Sequence, residues 1–249
     1  MIEDIEGLNS AAKVDEGKDA LSISEKAYIN ECVEGENPLA LVDRIDELSD
    51  VHPPKAIDSN SEIAELIEPV RDNIDSKYLE APNDFEQVEM ASDAMLDIEG
   101  TRYEQWERMT PQQRLVAMQK VENAIAEISH RPPCEVRVET MSKNQLGYYD
   151  PSSKSITLNS VYLEKDITSY KETLDTVVHE GRHAYQDYNL TERQVHVSSG
   201  DITNWKLNHD RYGYQSSEIY GFKSYWMQPV EADARKFAED VFKRLEEKA

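Results

Sequence analysis

The sequence predicts an α+β domain, a small mixed sheet held among helices, preceded by an acidic arm. Three observations predict it: two histidines one helical turn apart within an amphipathic stretch at 170–189, a strand and hairpin pattern just before that stretch, and a change of charge near residue 100.

Residues 1–100 hold 27 Asp and Glu against 7 Lys and Arg, a net of −20, while the whole chain carries −23. The rest of the chain is therefore nearly balanced. The aromatic residues of this acidic part are Tyr28, Tyr78 and Phe85, and Glu36-Asn37-Pro38, His52-Pro53-Pro54 and Ala81-Pro82-Asn83 interrupt it. Short helical patterns at Pro38–Leu48 and Ile63–Val70 are too brief to stand alone. The reading is a poorly structured or loosely helical arm over 1–100 and a folded domain over 101–249. So acidic a surface repels polyanions, which argues against nucleic acid and anionic membrane as partners.

Cys32 and Cys134 are the two cysteines, too few for a disulfide framework or a thiolate metal site, which fits a reducing compartment. The N-terminus lacks a basic region followed by an apolar one, and no apolar run approaches the roughly 20 residues of a membrane span. The expectation is a cytoplasmic protein, or one exported by a dedicated route that uses no signal peptide.

From Thr101 onward the elements follow in order. Thr110 is placed to cap a helix with Pro111 at its first position, and Leu115, Met118, Val121, Ile125 and Ile128 form its apolar stripe until Arg131-Pro132-Pro133 ends it. Cys134 to Glu139 alternates as a strand. Leu146 to Asn159 reads as a β-hairpin turning at Asp150-Pro151-Ser152-Ser153-Lys154, with Tyr148, Ile156 and Leu158 alternating. A long helix then spans Tyr170 to Asn189. Residues 190–227 are polar and rich in aromatics without strong periodicity, the kind of long segment that tends to carry function. Gln228-Pro229 opens a last helix to about Glu247, with Val230, Ala234, Phe237, Ala238, Val241 and Leu245 on one face.

The long helix contains His179-Glu180-Gly181-Arg182-His183. Histidines at i and i+4 project from one helix face and can share a metal ion, while Glu180 beside them is placed to accept a proton from a metal-activated water. With 6 histidines in the chain, the full His-Glu-x-x-His motif is expected by chance about 0.02 times. A catalytic zinc takes three protein ligands, so a third must come from elsewhere. Asn189 and Gln186 stand where a third histidine and its preceding glycine would lie in the longer HExxHxxGxxH motif, which excludes that pattern. The best candidate is Glu231 on the last helix, about 60° from the centre of its apolar stripe. His196 or His209 would serve if Glu231 does not. Asp175, one turn before His179, can orient its ring; Asp233, about 200° from Glu231 around the helix, is at most a supporting group.

The order of elements, the hairpin beginning Gly147-Tyr148-Tyr149, His179-Glu180-x-x-His183 and the downstream Glu231 together resemble the zincin metallopeptidases, in particular their thermolysin-like or gluzincin branch. The stretch from Tyr103-x-x-Trp106 through Gln228-Pro229-Val230-Glu231-Ala232-Asp233-Ala234 is similar to zinc-peptidase domains of bacterial toxin- and phage-associated proteins. The resemblance covers about residues 101–245. It implies a zincin-like fold with Zn²⁺ on His179, His183 and Glu231, and an edge strand, Ile156 to Asn159, that aligns a peptide substrate by β-addition. The resulting expectation is a zinc-dependent endopeptidase with Glu180 as general base and Tyr220 or Tyr225 donating to the oxyanion, His209 and Tyr212 being further candidates. The alternative is a zincin-fold binding or regulatory module whose metal is structural, closed by a fourth ligand such as His196 or His209. The acidic arm is expected to cover the cleft or to contact an immunity protein or chaperone.

Overall fold

The computed structural model describes residues 80–248 and, upstream of them, residues 62, 63, 65–67 and 70. The expected helical piece Pro38–Leu48 lies outside the described residues, as does Cys32. The elements run in the order α1 (Asp84–Leu96), α2 (Tyr103–Trp106), α3 (Pro111–Ile128), β1 (Glu135–Glu139), β2 (Gly147–Asp150), β3 (Ser155–Asn159), α4 (Ile167–Thr191), α5 (Ser199–Leu207), α6 (Ser217–Tyr220), α7 (Phe222–Met227) and α8 (Pro229–Lys248). The architecture is mixed α and β, mostly helical, around one three-stranded sheet. Among the described residues, no helix is long and apolar enough to cross a membrane.

Local chemistry starts α3 where the sequence places it and starts α4 three residues before the expected Tyr170. Thr110 and Gln113 form a reciprocal capping box at the head of α3, with Pro111 behind the cap. Asp166 caps α4 by accepting from the Ser169 backbone N–H at 2.9 Å. The predicted stripe of α8, from Val230 to Leu245, is buried throughout. Side chains of α1, α3, α4, α8 and the sheet merge into one core that includes Met95, Trp106, Met118, Ile156, Leu174 and Val241.

Two expectations are corrected here. First, the packed body begins before Thr101. Asn83 and Glu86 make a second capping box, and α1 buries Gln87, Val88, Ala91, Ser92 and Met95 against α3 and α8. Ile63 and Ile67 are buried in the same core. The spacing 88, 91, 92, 95 is a helical face, but acids on the other face (Glu86, Glu89, Asp93) give the segment the composition of a solvated arm.

Second, the stretch Ile156 to Asn159 is not an edge. The strand order is β1-β3-β2, with β1 parallel and β2 antiparallel to β3, so β3 lies in the centre and all five of its residues are buried. Its polar side chains find partners: the Asn159 amide donates to Ser142 O at 2.9 Å and Gln145 O at 2.7 Å. The hairpin was legible locally, whereas the parallel pairing of β1 with β3 joins strands separated in sequence. The edge beside α4 is β2.

Because Met95 is fully buried at the junction of α1 with the core, Met95→Ala should lower the unfolding free energy by about 2–5 kcal/mol in urea denaturation. A loss below about 0.5 kcal/mol would mean that α1 is not part of the core.

Candidate metal centre

Helices α4 and α8 pack side by side, and this packing brings three donors together. His179 Nε2 lies 3.1 Å from His183 Nε2 and 3.4 Å from Glu231 Oε2, and His183 Nε2 lies 3.3 Å from Glu231 Oε1. Four ligands at zinc bond lengths of about 2.0–2.1 Å and tetrahedral angles sit about 3.3 Å apart, and each of these separations is close to that, the two histidines meeting different oxygens of Glu231. Among the described residues, no fourth His, Cys, Asp or Glu donor joins this group.

Hydrogen bonding also suits a cation. The Gln186 amide nitrogen donates to Val230 O at 2.9 Å and to Asp233 Oδ2 at 2.7 Å, which leaves its oxygen 2.9 Å from His183 Nδ1. An acceptor at Nδ1 places the proton there when the ring is neutral, by inference from the network, and turns the Nε2 lone pair towards His179 and Glu231. A lone pair facing a carboxylate calls for a cation between them, a proton or a metal ion. Burial alone would lower the His183 pKa, but the charge of Glu231 and the hydrogen bond to it outweigh burial and raise it to about 9. Glu231 is held below the usual carboxylate range by the two histidines, against the effect of its burial.

Both middle residues of the motif have structural explanations. A Cβ on Gly181 would lie 3.0 Å from Glu122 Oε2 and 3.1 Å from Arg131 Nη2, the two halves of a buried bidentate ion pair packed against α4. Arg182 is buried and donates to both oxygens of Asp233 at 2.9 Å and to Asp84 Oδ1 at 2.9 Å. Its guanidinium lies 4.8 Å from the ring centre of Phe237 and 4.9 Å from that of Tyr185. Such a desolvated cation is tolerable because carboxylates and ring faces surround it.

Glu180 is 1% exposed, and its Oε2 accepts from the backbone N–H of Tyr149 on β2 at 2.8 Å. The strand edge thus holds the carboxylate beside the two histidines. Tyr149 directs its hydroxyl to Asp187 at 2.6 Å, which Lys154 also contacts at 2.6 Å. A cleft of about 50 Å³ opens here, lined by Tyr149, His183, Asp187, His209, Tyr214 and Glu231 among others.

The other candidates separate. Tyr225 is buried and does not line the cleft; its phenol pKa is raised by burial and then by the charge of Glu231, to which its hydroxyl also bonds, so it stays protonated. Tyr220 is 54% exposed on α6 and does not line the cleft. His209 lines the cleft outside the three-ligand group, and the side chain of Tyr212 is not among those described. His196 stands in a different cluster, 3.3 Å from Asp201 and 3.1 Å from the Tyr185 hydroxyl. Asp175 is buried one turn before His179, and Asp233 binds Arg182 and Gln186. Sequence reasoning passed over Gln186, Arg182 and Tyr214. Gln186 follows His183 by three residues on the same helix face, a signal that was readable; Tyr214 comes from an aperiodic segment that offered none.

Compared with known proteins, the chain matches no family model, no curated sequence and no solved structure.

A metal ion held here would have to displace the His183 proton, so zinc binding at pH 7 should release about one proton, read by titration calorimetry in buffers of different ionisation enthalpy. A raised histidine pKa contributes stability that is complete below about pH 6.5 and lost as pH rises through about 9. The metal-free protein should accordingly weaken over that window. Zinc uptake without proton release, or no weakening of the metal-free protein, would contradict this account of His183.

Proposed function

We propose that the chain is a zinc-dependent endopeptidase with a zincin-like arrangement of its site. The observation that carries the reading is the convergence of His179, His183 and Glu231, each pair 3.1–3.4 Å apart, with no fourth His, Cys, Asp or Glu donor among the described residues and with the Glu180 carboxylate beside them. A structural zinc would be closed by a fourth protein ligand. Both histidines offered for that role, His196 and His209, stand outside the group.

Bound by these three residues, zinc would supply an acidified water and a polarised carbonyl. Glu180, its carboxylate fixed by the Tyr149 N–H, accepts the proton of the attacking water and returns it to the leaving amine. The outer edge of β2 is the place for an extended substrate. Tyr149 pairs with Ile156 of β3 yet sends its N–H to Glu180, so that group faces away from the sheet and towards the site. The substrate is a protein or peptide.

Glu180→Gln should abolish peptide hydrolysis while zinc content stays near that of wild type, measured by metal analysis and a proteome digest with identification of the new N-termini. Full activity in that variant would exclude the role given to Glu180.

A further inference from the structure

Glu231 offers two oxygens to the centre, and the structure treats them differently. Oε2 lies 3.4 Å from His179 Nε2 and Oε1 3.3 Å from His183 Nε2, but only Oε1 accepts the Tyr214 hydroxyl, at 2.9 Å. We propose that Tyr214 is a positioning residue that makes Glu231 a one-oxygen ligand: the phenol holds Oε1 and leaves Oε2 to the metal. The inference rests on the reading of His179, His183 and Glu231 as a metal site and adds how that site keeps its coordination number low. A carboxylate bound through both oxygens would occupy two positions; bound through one, it leaves room for water and the scissile carbonyl.

The phenol is held in register with the carboxylate. Tyr214 follows Gly213, whose φ of 68° turns the chain towards α8. Two buried amides bind this strap to the start of the same helix that carries Glu231. Asn208 donates to Gly213 O at 3.2 Å and accepts from Val230 N at 3.3 Å. Gln228 accepts from Gln215 N at 3.0 Å and donates to Gln215 O at 3.2 Å, and the two amides bond each other at 3.2 Å. Donor and acceptor therefore belong to one locally braced unit, and the ring of Tyr214 rests edge-on against Tyr225 at 6.2 Å. A surface tyrosine on an unbraced loop would not have these restraints, and its hydroxyl would exchange with water.

The test loads the full chain with Co²⁺, whose visible spectrum reports coordination number, in wild type and Tyr214→Phe. The variant keeps the ring beside Tyr225 and removes the hydroxyl. Wild type is expected to give the intense bands of a four-coordinate ion and Tyr214→Phe the weaker bands of a five-coordinate one, with the zinc dissociation constant raised about 10-fold. A Tyr214→Phe spectrum identical to wild type overturns the proposal, whatever happens to activity. Wild type that takes up no cobalt contradicts the metal-site reading itself, a distinct result. Near-UV circular dichroism of the metal-free variant checks the fold. Should it be lost, Gln228→Met, which loosens the strap without touching phenol or carboxylate, takes its place, and a wild-type cobalt spectrum there overturns the proposal.

Discussion

The fold and the site both depend on one contact, the junction of α4 and α8 at Asp233. Its carboxylate receives two hydrogen bonds from Arg182 and one from Gln186, both on α4, while Gln186 also holds the Val230 carbonyl. These bonds fix how far α8 slides and rotates along α4. Glu231 lies two residues before Asp233 and points to the other side of the junction, so once Asp233 is seated the Glu231 carboxylate is within 3.4 Å of both histidines. The same Gln186 sets the His183 ring through Nδ1. One buried network thus places a ligand on each helix.

That network explains the two motif positions that carry no metal chemistry. Arg182 supplies the inter-helix clamp, and its buried charge is matched by Asp233 and Asp84. Asp84 opens α1, so the clamp reaches three helices. Gly181 is small because the opposite side of α4 rests on the buried Glu122–Arg131 pair, which in turn fixes the turn from α3 into β1 through Cys134 N at 2.8 Å. The sheet then returns β2 to the helix, where the Tyr149 N–H meets Glu180. Five residues in a row, His179 to His183, therefore face four different surroundings: the centre, the strand edge, the ion pair and the clamp.

Much of this was legible in the sequence because its causes are local. The cap at Thr110, the stripe of α8 and the i, i+4 spacing of the histidines are set within one or two helical turns, and the inward lean of Glu231 follows from the same periodicity. What was not legible involves partners far apart in the chain. The central position of β3 depends on a parallel partner about 20 residues upstream, and Tyr214 reaches Glu231 across an aperiodic segment. Charge misled as well. The acids of α1 cover a helix whose inner face is part of the core, so composition placed the start of the folded body too late.

On the proposed reading, α4 and α8 present His179, His183 and Glu231 to a single zinc ion with one position open. X-ray diffraction from crystals of the full chain grown with zinc, recorded on both sides of the zinc absorption edge, tests it most directly. One strong anomalous peak is expected about 2.0–2.1 Å from His179 Nε2, His183 Nε2 and a Glu231 oxygen, with no fourth protein ligand. A zinc held by other residues, a site closed by a fourth side chain, or no peak between the two helices would contradict it.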